Sequence, residues 1–325
     1  MKSFIIADYT NFGQYGGIEK NAELITLDLE KKLNLKVLRV LKRRHLMIIL
    51  IKSIIRFKFV DYFICYKNSS LTGLIFKIFG TKLIIRFNNS PESYLFWFKL
   101  NSIFSHLLKI ILTKSEMIIC NSQKIRYYYS LFSRNNSKIF FLPNKFIEKN
   151  IVINKTKINK IFLASRLSKE KNLLNSFQTL NSISKKIGYE VLAYTSTKND
   201  IEDLLEFNKI SYFFNDIYVS LSFYEGMPNM AYEALFKGSA LLLSNCWSHT
   251  EIHNLLIKYD LENRIFISNV HNKENLIYEI NKLREKIQYD EIEKVKYKLS
   301  KLKKDLEKEY EINIEKIISH IRNSS

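Results

Sequence analysis

Cysteine, proline and glycine are scarce, at 3, 3 and 8 of 325 residues. Cys65, Cys120 and Cys246 are odd in number and widely spaced. That excludes a disulfide framework and a paired-cysteine metal knuckle, and it points to a reducing compartment. So little glycine and proline excludes low complexity, and 46% hydrophobic residues exclude a disordered chain. No run of eighteen uncharged apolar residues occurs, so no plain membrane-spanning helix is expected. The first apolar run, 4–7, ends at Asp8 and is too short for a signal-peptide core.

Acid is missing from two stretches, 31–59 and 93–115. The first holds ten Lys and Arg; the second interleaves Tyr94, Phe96, Trp97, Phe98, Phe104 and Ile110 with cations. Residues 1–150 carry 25 basic against 9 acidic residues, a net of +16, while 151–325 carry 26 against 23, a net of +3. Basic character of this kind suits an anionic membrane surface or a nucleic acid. Apolar side chains among the lysines favour the membrane, since they enter the headgroup boundary while cations meet anionic lipid. Ordinary buried helices in a Lys-, Ile-, Asn- and Phe-rich composition are the alternative.

The length favours two domains. In the first half, strands are expected at 4–7, 35–40, 62–66, 82–87, 117–120 and 139–142, with helical patterns between them, including 18–32. The pattern restarts with strands at 161–164, 191–194, 217–221 and 240–243 and a helix at 171–186. Alternation of this kind implies parallel βαβ units. The polar stretch 148–160 reads as a linker, and 281–322 as a charged helical tail.

Three of the eight glycines, Gly13, Gly16 and Gly17, follow the first strand. There they would permit a tight turn or a close approach to a ligand at the carboxyl end of a parallel sheet. Gly226 and Gly238 bracket a second segment. Pro228 suits a first helical position and Gly238 a helix stop. A helix starting there, just after a strand, offers its positive end to an anion. Arg166 and Lys171 follow the strand at 161–164 and could supply cations to the same phosphate. Glu225 and Glu233 would repel phosphate, so any binding role for them is toward neutral hydroxyls of a sugar or ribose.

The run Glu225-Gly226 … Glu233-Ala234-Leu235 … Gly238 resembles the E-x7-E signature of glycosyltransferase family 4, also called glycosyltransferase group 1, which has the GT-B fold. Arg166 and Lys171 are similar to its G-R-L-x-x-x-K motif. Tyr15-Gly16-Gly17-Ile18-Glu19 resembles its N-terminal Gly-Gly loop. Ile119-Cys120-Asn121-Ser122 and Leu142-Pro143-Asn144 resemble its I-x-x-S strand end and P-N turn. Trp247-Ser248-His249-Thr250-Glu251-Ile252 stands where the family has a loop ending in P-E. The motifs occur in family order from about residue 13 to 252.

The resemblance implies an α/β protein of two Rossmann-like parallel-sheet domains facing a cleft. These are an acceptor-side domain at 1–147, a linker at 148–160 and a nucleotide-sugar-binding domain at 161–325 with a charged C-terminal helix. It implies retaining, metal-independent transfer of a hexosyl group, with the nucleotide-sugar as co-substrate and no cofactor; no D-x-D motif occurs. Arg166, Lys171 and Glu225 would be the catalytic set, the first two on the diphosphate and Glu225 on the donor sugar. Amides of Gly226, Met227 and Asn229 would line the pocket, Glu233 would bind the ribose, and Gly16 and Gly17 would face the phosphates and the acceptor. The expected acceptor is a glycan or polyprenyl-diphosphate-linked glycan of bacterial O-antigen, capsule or lipopolysaccharide. The expected location is the inner face of the plasma membrane, with no nucleic-acid partner.

The chain departs from the family pattern at Ser165 and Lys145, where glycines are usual, and at Asn88 and Asn89, where a histidine is common. It is also short between Tyr189 and Ser220, where the family has an extra strand and loop. That shortening suggests a second reading, a catalytically weakened glycosyltransferase-like binding protein. A basic nucleic-acid binder lacks a recognisable module. Zinc hydrolysis at His249-Thr250-Glu251-Ile252-His253 lacks the H-E-x-x-H order.

Overall fold

In the computed structural model, the described residues are 4–8, 17–34, 36–41, 43–56, 61–66, 70–78, 80–88, 101–133, 135–146, 151, 153, 160–195, 204–206, 209–269 and 272–324. Two compact units emerge, one of 1–145 with 308–325 and one of 146–307.

The first unit alternates β1 (Phe4–Asp8), α1 (Gly17–Leu33), β2 (Lys36–Val40), α2 (Arg43–Arg56), β3 (Tyr62–Cys65), α3 (Ser70–Ile78), β4 (Lys82–Phe87), α4 (Asn101–Lys114), β5 (Met117–Cys120), α5 (Gln123–Phe132) and β6 (Ile139–Phe141). Its strands lie in the order β2-β1-β3-β4-β5-β6, every pair parallel. Each residue of β3 and β5 is buried, as a sheet covered on both faces requires. Alternation then divides the strands between two cores: Phe63, Cys65 and Ile85 pack with α2 to α5, and Tyr62, Ile64 and Ile84 with α1. Gly73 lets α3 lie close to the sheet, because a Cβ there would sit 2.3 Å from Leu83 Cδ1.

The second unit contains β7 (Lys160–Ala164), α6 (Leu173–Ile187), β8 (Glu190–Thr195), β9 (Leu204–Glu206), β10 (Ile217–Ser220), α7 (Asn229–Phe236), β11 (Ala240–Ser244), α8 (Trp247–Ile257), β12 (Ile265–Ser268) and α9 (Lys273–Ile287). The order is β12-β11-β10-β7-β8-β9, again all parallel. The short region after Tyr189 thus keeps its extra strand: β9 pairs with β8 through Ala193–Leu204 and Tyr194–Leu205.

The expected tail helix is two helices. A break around Asp290 separates α9 from α10 (Ile292–Ser324). Arg264, fully buried, binds Asp290, Asn215 and the Gly238 carbonyl, and so anchors that break. Along α10, Val295, Leu299, Leu302 and Leu306 join the core of the second unit. The same stripe continues as Tyr310, Ile314, Ile317 and Ile321, which join the α1 core of the first. Tyr310 donates to Asp28 at 2.7 Å, Tyr62 donates to the Ile321 carbonyl at 3.0 Å, and Lys32 pairs with Glu311 at 3.0 Å. Residues 308–325 therefore belong with the first unit, whereas the sequence reading grouped the whole tail with the second.

Candidate functional site

In the second sheet the chain leaves β7 toward β8 and β9, and later returns to β10 on the other side of β7. Loops after β7 and β10 consequently diverge at the carboxyl edge, the place where doubly wound sheets bind ligands. Arg166 and Lys171 lie on the first loop; Glu225 and the start of α7 lie on the second.

Hydrogen bonds tie the two loops together. Phe223 N donates to the Glu170 carbonyl at 2.8 Å, and Asn172 Nδ2 to the Leu221 carbonyl at 3.4 Å. Asn172 adopts a left-handed conformation, φ 51°, between a short 3-10 turn and α6, which asparagine tolerates. Ser244 Oγ, at the end of β11, donates to the Ser222 carbonyl at 2.5 Å.

Across this junction Lys171 Nζ meets Glu225 Oε2 at 2.5 Å, with both side chains mostly buried. Burial alone would favour the neutral acid. The Lys171 and His249 charges, with hydrogen bonds from Lys171 and Ser222, outweigh it and hold the Glu225 carboxyl below its ordinary range. Glu225 therefore presents an ionised oxygen acceptor. Arg166 is half-buried, and its guanidinium has no hydrogen-bond or ion-pair partner among the described residues. The sequence placed Arg166 and Lys171 together on one diphosphate. The structure distinguishes them: one is paired to a carboxylate, the other is uncommitted.

Pro228 caps α7 and Asn229 begins it, so the proline stands one residue before the expected first helical position. Gly226 is buried, while Met227 and Asn229 are half-buried. Glu233, one turn into α7, accepts from Tyr212 Oη at 2.9 Å. Gly238 ends the helix with φ 90°, and a Cβ there would meet Ile153 Cγ2 at 2.9 Å. Gly13 and Gly16 lie outside the described residues; Gly17 opens α1.

Sequence reasoning missed His249 as part of this site. It is fully buried in the first turn of α8, with Nδ1 3.0 Å from the Ser244 carbonyl. A carbonyl only accepts, so Nδ1 carries the proton. Burial opposes charging this ring, but the neighbouring Cys246 and Glu225 raise its affinity for a proton above the ordinary value. The signal was present as the His249–His253 pair, read there as a weak zinc motif. Among the described residues no group of three His, Cys, Asp or Glu could hold a metal.

The carboxyl edge of the first sheet is lined by buried polar groups: Asn88 after β4, Asn121 and Ser122 after β5, and Asn144 after β6. Beneath them Arg86 donates to Asn88 Oδ1 at 3.1 Å and to Asn144 Oδ1 at 2.7 Å. Burial lowers its pKa to about 10. Arg86 fixes Asn88, one of the two asparagines that stand where the family commonly has a histidine.

No protein-family model and no curated protein matches the sequence. Solved structures do. Sucrose-phosphate synthase from Thermosynechococcus elongatus superposes with a TM-score of 0.67 at 11% identity, covering 99% of this chain and 100% of that one. Anabaena HepE in complex with UDP-glucose gives 0.64 at 13% identity, covering 99% and 100%. The lipopolysaccharide outer core galactosyltransferase WaaB gives 0.59 at 14%, covering 97% and 99%. The fold is that of the GT-B glycosyltransferases.

Proposed function

We propose that this chain is a retaining, metal-independent glycosyltransferase of the family 4 type that transfers a hexosyl group from a nucleoside-diphosphate sugar. The observation that carries this reading is that two loops, hydrogen-bonded to each other at one switch point, carry Arg166, a Lys171–Glu225 pair and the start of α7. A nucleotide-sugar has the complementary chemistry, with a diphosphate for the cations and hydroxyls for the carboxylate. Occurrence of the same fold in HepE, which binds UDP-glucose, and in the galactosyltransferase WaaB supports the reading.

As the bond between the sugar and the β-phosphate breaks, negative charge grows on the leaving diphosphate. Arg166 and the α7 N-terminus are oriented before that charge forms, so little reorganisation is needed. Lys171 adds its charge and also keeps Glu225 ionised, ready to accept from a sugar hydroxyl. Amides of Gly226, Met227 and Asn229 line the pocket, Glu233 receives the ribose, and Gly16 and Gly17 serve the acceptor side. The acceptor is a glycan or polyprenyl-diphosphate-linked glycan of bacterial surface polysaccharide, met at the inner face of the plasma membrane. No described helix is long and apolar enough to cross a bilayer.

Calorimetric titration with UDP-, GDP- and ADP-sugars, followed by product analysis with EDTA present, tests this. Binding of one donor and formation of an α-linked product from an α-linked donor are expected. Failure to bind any donor overturns the reading, and binding without turnover favours the weakened binding protein.

A further inference from the structure

Leu46 and Ile49 of α2 enter the core of the first unit, together with Phe76 of α3 and Ile111 of α4. The opposite side of α2 is also apolar. Met47, Ile48, Ile51 and Ile55 are 53%, 49%, 51% and 72% exposed. Their spacing places them on one helical face, and exposed Arg44 and Lys52 accompany them. The adjoining helices of this layer repeat the arrangement, with exposed Ile75 and Ile78 on α3 and Ile110 on α4. None of the three helices contains an acidic residue.

Water penalises such an apolar face, so a partner is implied. The absence of acid specifies an anionic one. A second copy of the same face would set cation against cation, and aliphatic side chains provide no platform for stacking bases. An anionic bilayer satisfies both halves of the surface: its phosphates meet Arg44 and Lys52, and its acyl boundary accepts Met47, Ile48, Ile51 and Ile55.

We propose that the α2–α4 layer docks the first unit on an anionic phospholipid surface, with α2 lying in the headgroup plane. This deepens the reading of a lipid-linked acceptor and rests on it only for the whereabouts of that acceptor. Docked in this way, the enzyme meets its acceptor by diffusion in two dimensions, while the donor arrives from water.

The test is flotation of the intact protein with phosphatidylglycerol–phosphatidylcholine vesicles and with phosphatidylcholine vesicles alone. Wild type is expected to float with the anionic vesicles only. Ile48→Glu/Ile51→Glu should lower that affinity at least about tenfold, and Tyr297→Glu, a change at an exposed apolar position on α10, should not. Arg44→Gln/Lys52→Gln, which cannot disturb the core, should weaken binding in the same direction. UDP-glucose affinity, measured without lipid, should be the same in all variants. Loss of donor binding in wild type with vesicle binding intact counts against the enzymatic reading alone. Absence of anionic-vesicle binding overturns the docking face. So does binding that survives both double substitutions, or a lipid-free dimer that Ile48→Glu/Ile51→Glu dissociates while vesicle binding persists.

Discussion

Lys171 and Glu225 reach each other from loops that follow two different strands, and their charged atoms meet at 2.5 Å in a mostly buried setting. Fifty-four positions apart in sequence, they are neighbours because β7 and β10 are hydrogen-bonded neighbours. Removing one member of a buried ion pair strands the other charge and typically costs about 3–5 kcal/mol. Lys171→Met should therefore lower unfolding free energy by roughly that amount. Lys171→Met/Glu225→Gln should recover most of the loss while transfer stays abolished. Chemical denaturation and a transfer assay measure the two effects; additive stability losses would sink the pairing.

Arg166 offers the contrasting case. Because its guanidinium binds nothing within the described protein, Arg166→Ala should leave the melting temperature unchanged. Transfer should fall on the order of 100-fold or more, the usual loss when one preorganised contact to developing charge is removed. Arg166→Lys should restore part of it. Wild-type turnover in the alanine variant would remove Arg166 from the site.

Arg264 is structural. It is sealed from solvent and joins Asp290 to the carbonyl that ends α7. Arg264→Ala leaves Asp290 without its counter-charge and frees the turn between α9 and α10, so a loss of about 3–5 kcal/mol is expected by denaturant titration. A loss under about 1 kcal/mol would show that the turn holds without it.

Asp216 gives stability a pH dependence. It is fully buried, and burial pushes its pKa from the usual 3.8 to about 6, against hydrogen bonds from Lys160 and Phe213. Between those two values the folded chain retains a proton that the unfolded chain has lost. This group therefore makes stability fall as pH rises from about 4 to about 6, by roughly 3 kcal/mol in total, with the loss complete above that window. Denaturation of wild type and Asp216→Asn across that range should show a downward component in wild type that the asparagine variant lacks. Parallel profiles would refute it.

The folded elements were largely legible in the linear pattern. Short β-branched and apolar runs bounded by polar turns marked β4 and β5 to the residue, and scarcity of glycine made Gly238 readable as the end of α7. That Arg166 and Lys171 lie on the loop after one strand, and Glu225 on the loop after another just before a helix, was also legible. Neither β9 nor β12 was foreseen: three residues of β9 are too few to show alternation, and β12, with four, is nearly as short. The membrane preference was read from missing acid, but the sequence could not say that α2 points Met47, Ile48, Ile51 and Ile55 outward. An all-round apolar helix reads equally well as buried.

By itself, then, the sequence determined that this chain alternates strand and helix twice over and that its net positive charge lies in the first half. Local periodicity and charge are written along the chain and need no partner to be read. Tertiary structure alone decided that Lys171 is bound to Glu225 while Arg166 is not, that His249 backs the same site, and that the last turns of α10 return to α1. These are pairings between distant positions, set by which strands become neighbours and which apolar stripe a helix face meets, and no spacing in the sequence encodes them.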